Sequence, residues 1–254
     1  MNKKSQELNY KNWQQWGKMP DKAEPYNIER IKGNLPEMES TKQLVKLIST
    51  VFEPGMKILD VGCNVGHYLV GLRREYPDVE YTGVDAYEQY ISQAKEAFQN
   101  DQHANFEQKD IFEPIFPDSP FDIVYCCNVI IHLPDIKRPI ENLLNSTKKV
   151  CFIRTLIDEN TTIVKSALSD SFDKNGEPTD YWYLNTWKKE YVQKIISELG
   201  WKSEIIDDEF NPENIQFEYN KVKTDKIDKG TRIVNGKQIV ENIIFNWKWI
   251  KIFK

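Results

Sequence analysis

Asp60, Gly62, Cys63, Asn64 and Gly66 fall inside the stretch ILDVGCNVGHYL at 58–69, where a strand pattern runs directly into a helical one. Glycines in such a turn let backbone approach a ligand closely, and ligands of open α/β sheets sit outside the carboxyl ends of the strands. A plain strand-to-helix turn is the simpler alternative. The next strand pattern, VEYTGVD, ends at Asp85, nineteen residues after Gly66 and just before Ala86. A carboxylate placed there can accept hydrogen bonds from both hydroxyls of a ribose. Together the two features point to a nucleoside cofactor. A dinucleotide needs G-x-G-x-x-G so that backbone N–H groups reach a pyrophosphate. Here the middle glycine is missing. Asp60 would also repel a pyrophosphate, whereas it suits a cofactor bearing an ammonium group.

The elements that must position these residues alternate along the chain. Apolar residues Leu44, Leu47, Ile48 and Val51 recur at helical spacing before Pro54-Gly55. Strands are expected at 56–61, 79–85, 105–110, 121–128, 148–156 and 201–206, with helices at 65–76, 88–98, 136–145 and one capped by Thr186. Such alternation predicts a doubly wound α/β fold with a mainly parallel sheet. A hairpin is expected around Asn235-Gly236. In the final segment Phe245, Trp247, Trp249 and Phe253 share a period of two, which predicts an amphipathic last strand; stacking of nucleobases is the alternative.

With these motifs in hand, residues 40–206 resemble the class I S-adenosylmethionine-dependent methyltransferases. The resemblance implies a Rossmann-like sheet of seven strands with an antiparallel C-terminal strand. It implies that Asp60, Gly62, Cys63 and Gly66, with Asn64 between them, embrace the methionine part of S-adenosylmethionine, and that Asp85 and Ala86 hold its ribose. Asp110 and Ile111 are implied to reach the adenine, although Asp110 could instead cap a turn. In FDIVYCCNVIIHLPD (121–135), Asn128 and Val129 are implied to lie beside the transferable methyl group, the product being S-adenosylhomocysteine. His132 is then the histidine placed to act as general base, with a rate expected to rise through about pH 6–7, or it only packs.

Composition narrows the rest. The chain has 254 residues, 40% hydrophobic and 29% charged, enough for one large core. Its net charge of −5 hides an asymmetry: residues 221–254 hold nine Lys and Arg against three Asp and Glu, leaving 25 against 36 elsewhere. Without a contiguous basic surface in the first 220 residues, a nucleic-acid substrate is disfavoured. Cys63, Cys126, Cys127 and Cys151 show no metal-ligand or disulfide spacing, so no metal is expected and reduced thiols suggest the cytoplasm. No apolar run reaches the length of a membrane helix, and no leader pattern opens the chain.

Three additions to the core are expected to recognise substrate: an aromatic cap or lid at 1–38, and insertions at about 157–186 and 209–242 of the domain spanning 39–254. Arg30, Arg154, Tyr181, Tyr183 and Trp187 are the candidates for a polar or anionic substrate; a structural role for the aromatics is equally open. The expected activity is O-methylation of a small polar metabolite, such as a sugar or surface-polysaccharide precursor in a bacterium. The alternatives are N-methylation, nucleic-acid methylation, a nicotinamide-dependent oxidoreductase, and a non-catalytic partner subunit that keeps the fold.

Overall fold

In the chain's computed structural model the described residues are 24–168, 171–210, 231–235, 237–240 and 243–254. Two helices, α1 (Glu24–Ile31) and α2 (Glu39–Ser49), precede the first strand. Then come β1 (Lys57–Val61), α3 (Tyr68–Glu75), β2 (Glu80–Asp85), α4 (Glu88–Ala97), β3 (Ala104–Gln108), β4 (Phe121–Cys127), α5 (Lys137–Asn145) and β5 (Thr147–Asp158). Short strands β6 (Lys165–Ala167), β7 (Tyr181–Tyr183) and β8 (Trp187–Lys188) lead to α6 (Lys189–Glu198) and β9 (Lys202–Asp207). Strands β10 (Thr231–Val234), β11 (Lys237–Val240), β12 (Ile243–Ile244) and β13 (Trp247–Phe253) close the chain.

The main sheet runs β3-β2-β1-β4-β5-β13-β9, with β8 attached to β5. From β3 to β5 every pairing is parallel, and β13 enters antiparallel between β5 and β9. The strand order reverses at β1, flanked by β2 on one side and β4 on the other, and such a reversal leaves a crevice at the carboxyl ends. The doubly wound, mainly parallel sheet is thus the one that the sequence pattern predicts, and its seven-stranded path with an antiparallel C-terminal strand is what the family resemblance implies.

Side chains alternate across this sheet and fill two cores. Leu59, Val61, Val124 and Ile153 face one way, against Ile140 and Leu143 of α5 and Val192 and Ile196 of α6. Ile58, Tyr81, Ile123 and Phe152 face the other, against Leu44 and Ile48 of α2, Leu69 and Leu72 of α3 and Ile91 of α4. Burying each such aliphatic side chain stabilises the fold by roughly 1.5–3 kcal/mol, so the strand ends are held by the stiffest part of the molecule.

Two expectations change. Thr186 does not cap α6; that helix starts two residues beyond Trp187, and Thr186 instead pairs with Thr162 across an isolated bridge. The last strand is not amphipathic: Trp249 is buried in one core and Ile250 and Ile252 in the other, because β13 lies inside the sheet between β5 and β9, where helices cover both faces. The β6–β7 hairpin and the β10–β12 sheet share a third apolar cluster, in which Ile131, Leu156, Leu184 and Ile243 are joined by Trp182, Phe245 and Trp247. The expected turn at Asn235 joins β10 to β11. Of the expected cap, residues 1–23 lie outside the described residues, as do 211–230 of the last insertion. Among the described residues, no helix is long and apolar enough to cross a membrane, and no three His, Cys, Asp or Glu side chains gather into a potential metal site.

Candidate active site

Where β1 ends, the chain must turn sharply enough to reach α3 without leaving the sheet. Gly62 does this at φ 79°, and the N–H groups of Gly62 and Cys63 both donate to the Val84 carbonyl of β2, at 2.7 and 3.0 Å. A Cβ at position 62 would run into Val129 Cγ2, so the glycine serves both the turn and the close approach of the segment after β4. Gly66 (φ 79°) is hemmed in by Phe106 and Phe98, 2.8 and 3.1 Å from where its Cβ would be. Cys63 is buried, with its thiol pushed well up by desolvation, which makes it a packing residue beneath the turn.

Between the glycines, Asn64 takes a left-handed conformation (φ 52°) and its N–H donates to Asp85 Oδ2 at 2.9 Å. The Tyr87 N–H donates to the other oxygen, Oδ1, at 3.0 Å. A carboxylate has about four lone-pair directions, so Asp85 is oriented by the backbone while retaining acceptor capacity for a diol. Burial raises its pKa to about 6, against the pull of these N–H donors. Ala86 follows, its carbonyl taking a bond from Gln108 at 3.0 Å.

Asp60 sits differently. Its Oδ2 accepts the hydroxyls of Tyr81 at 2.8 Å and Tyr125 at 2.9 Å, and the residue is only 2% exposed. Desolvation raises its pKa to about 7, with the two tyrosine donors opposing the shift. This carboxylate lies buried below the loop, with its Oδ2 taken by the two tyrosines. Strand register could have revealed the tyrosines: Tyr125 stands opposite Asp60 and Tyr81 opposite Ile58, all on one face. A buried tyrosine hydroxyl needs a partner.

Past β4, Asn128 is again left-handed (φ 63°), Val129 leans over Gly62, and a short 3-10 turn, Ile130–His132, follows. His132 Nδ1 lies 2.9 Å from the Tyr183 carbonyl of β7. A carbonyl only accepts, so Nδ1 carries the hydrogen and Nε2 is the basic nitrogen. Burial lowers the His132 pKa to about 4 despite that bond, so the imidazole is neutral through pH 6–7, where the sequence reading expects it to titrate.

The remaining candidates divide. Asp110 Oδ1 accepts the Phe112 N–H at 3.0 Å, the turn-forming alternative, and Ile111 is buried with its carbonyl bonded to Asn142. Arg30 donates to Asn27 at 3.0 Å, and Asn27 Nδ2 in turn to Asn64 Oδ1 at 3.1 Å, so α1 docks on the glycine loop. Arg154 is not an open anion receptor: it is 6% exposed and forms a bidentate pair with Asp208. Trp187 is a core residue, 3% exposed, its Nε1 donating to the Ile130 carbonyl. Tyr181 stays on the hairpin, its hydroxyl donating to the Pro178 carbonyl and Lys165 over its ring, whereas Tyr183 meets the site through its carbonyl. Sequence reasoning missed Asp208, Asn27 and Gln43, which act over long sequence separations and belong to no motif.

The sequence of a methyltransferase domain family matches residues 52–222. The chain belongs to that methyltransferase family. Its strand order and loop are those of the class I S-adenosylmethionine-dependent branch. Phosphoethanolamine N-methyltransferase of Triticum aestivum is 34% identical over 39% of this chain and 19% of its own length. The 2-methyl-6-phytyl-1,4-hydroquinone methyltransferase of Synechocystis is 34% identical over 57% of this chain and 40% of its own. The chain therefore spans less than half the length of either curated relative. Among solved structures, magnesium protoporphyrin IX methyltransferase from Synechocystis, with bound S-adenosylhomocysteine, shares the fold at TM-score 0.53. It covers 96% of this chain and 94% of that one, at 14% identity.

Proposed function

We propose that this methyltransferase transfers the methyl group of S-adenosylmethionine to a hydroxyl oxygen of a small polar molecule. The observation that carries the cofactor reading is the meeting of three strand ends around one glycine. Gly62 turns beneath Val129 from β4, while Asn64 orients Asp85 at the end of β2. A cofactor with a ribose and a positive centre fits this set: Asp85 keeps acceptor capacity for the diol, and a positive centre above the buried Asp60, whose pKa desolvation raises to about 7, would favour its charged form. Asp110 and Ile111 are the candidates for the adenine side.

When bound, S-adenosylmethionine supplies a methyl carbon on a sulfonium, which accepts the electron pair of the acceptor oxygen as its bond to sulfur breaks. The protein's own part is alignment, exclusion of water and handling of one proton. The proton leaving the acceptor hydroxyl goes to His132 Nε2, since the Tyr183 carbonyl fixes the tautomer that leaves this nitrogen basic. The helix α1 closes one side of the loop through Asn27, and residues 1–38 are proposed to form the lid. The aromatic insertions would receive the acceptor. A sugar or surface-polysaccharide precursor remains a proposal within this class; the relatives named above are named for phosphoethanolamine and a phytyl hydroquinone.

A screen of hydroxyl and amine acceptors with methyl-labelled S-adenosylmethionine tests the reading. Transfer to a hydroxyl, with turnover dependent on His132, is the expected result. Transfer to amines alone, unaffected by His132→Ala, would overturn the oxygen acceptor and leave the cofactor assignment standing.

A further inference from the structure

The densest polar arrangement at the carboxyl edge surrounds a residue that no motif marks. Asp208, just past β9, receives Arg154 Nε at 2.6 Å on one carboxylate oxygen and Nη2 at 3.0 Å on the other. Both side chains are almost completely buried, 7% and 4% exposed. The third nitrogen of the guanidinium, Nη1, donates to Asn128 Oδ1 at 2.6 Å, and its Cζ lies over the Trp247 ring, 4.0 Å from the centroid. The backbone repeats the link, since the Asn128 N–H donates to the Arg154 carbonyl at 3.0 Å.

The segment bearing Asp208 is itself clamped. Gln43 of α2 donates to the Asp207 carbonyl at 2.8 Å, accepts the Glu209 N–H at 2.9 Å and accepts Trp249 Nε1 at 2.8 Å. Bonds on both neighbours hold the intervening Asp208 where its side chain meets Arg154.

We propose that Asp208, acting through Arg154, is a positioning residue that fixes Asn128 at the methyl-transfer face. The proposal rests on the cofactor reading above. A buried ion pair adds little net stability compared with apolar packing of the same volume, so its place beside the site is better explained by the geometry it imposes. That geometry is specific. Arg154 offers only donors, which turns Asn128 Oδ1 toward itself and leaves the two Nδ2 hydrogens as what the amide can present to a ligand. The left-handed backbone of Asn128, uncommon outside glycine, is held by the same partner. The arginine that looked like an anion receptor therefore orders a neighbour, and its charge is neutralised by Asp208.

Calorimetric titration of S-adenosylhomocysteine into the full chain tests this through a double-mutant cycle. Asn128→Ala and Asp208→Asn are each expected to weaken binding about tenfold, and the double variant to weaken it no further, because one acts through the other. The paired replacement Arg154→Met with Asp208→Leu removes both charges without stranding either, so it keeps the test open where Asp208→Asn fails to fold; it is expected to fold and to show the same tenfold loss. Independent losses that multiply to about a hundredfold, or a paired replacement that binds as the wild type does, would overturn the positioning role. A wild-type chain that binds no S-adenosylhomocysteine would overturn the cofactor reading and this proposal with it.

Discussion

The two halves of the carboxyl edge are built by different means. On the cofactor side, the loop after β1 and the acid after β2 are joined by backbone donors across adjacent parallel strands, with Asn64 and Asp85 only 21 residues apart. On the acceptor side, His132 is oriented by a carbonyl 51 residues away and Arg154 by a carboxylate 54 away. The first half relies on glycines that the turn itself requires, and the second on side chains whose partners arrive from far along the chain. A substitution at the loop or at Asp85 should therefore injure cofactor affinity and one at His132 turnover, while loss of the Asp208–Arg154 pair reaches the cofactor only through Asn128.

The largest expected effect lies on the acceptor side. His132→Ala should lower turnover by roughly 10²–10⁴ while S-adenosylhomocysteine affinity, read by calorimetry, stays near wild type. Because burial holds His132 at about 4, the base is neutral above that pH, so the wild-type rate at saturating cofactor should be level through pH 6–7 and fall as His132 protonates near 4. A rate that climbs between pH 6 and 7 would assign the base to another group.

Gly62→Ala comes next and strikes the cofactor side. The left-handed φ and the collision with Val129 together should cost roughly 2–4 kcal/mol in stability, seen by denaturant titration, and abolish measurable cofactor binding. Adding Val129→Ala should recover the steric part alone. Full recovery would mean that the backbone conformation carries no cost.

Asp85→Ala should weaken S-adenosylhomocysteine by roughly 1.5–3 kcal/mol, about tenfold or more, without changing acceptor preference. Its raised pKa sets the sign of the pH effect. The carboxylate form predominates above about 6 and is lost below, so wild-type affinity should be constant in alkali and fall as pH drops through 6. The alanine variant should lack that dependence. Smallest of all, Tyr181→Ala on the hairpin should raise the KM for the acceptor only a few-fold and leave cofactor affinity unchanged, as one aromatic contact among several in a recognition surface.

The contrast also explains what could be read from the sequence. The alternation of strands and helices placed the sheet within a residue or two, because core burial on both faces writes itself as apolar runs. Gly62, Gly66 and Asp85 were legible for the same reason: each answers a local demand of the strand end it occupies. Arg154 reads in the sequence as a candidate for an anionic substrate, but its partners are not legible, since Asp208 and Trp247 reach it only after β13 has folded back beside β5 and β9 beside β13. The burial of both faces of β13 is hidden likewise, because its place inside the sheet depends on pairing with β9 far upstream, and the register decides which aromatic faces which core.

The central claim is that the three strand ends around Gly62 hold S-adenosylmethionine, and one titration tests it most directly. S-adenosylhomocysteine and NAD are titrated separately into the wild-type chain and into Asp85→Ala at pH 7.5. The account predicts micromolar binding of S-adenosylhomocysteine, a loss of about tenfold or more in the variant and no heat from NAD. Binding of NAD, or equal affinity of wild type and variant for S-adenosylhomocysteine, would contradict it.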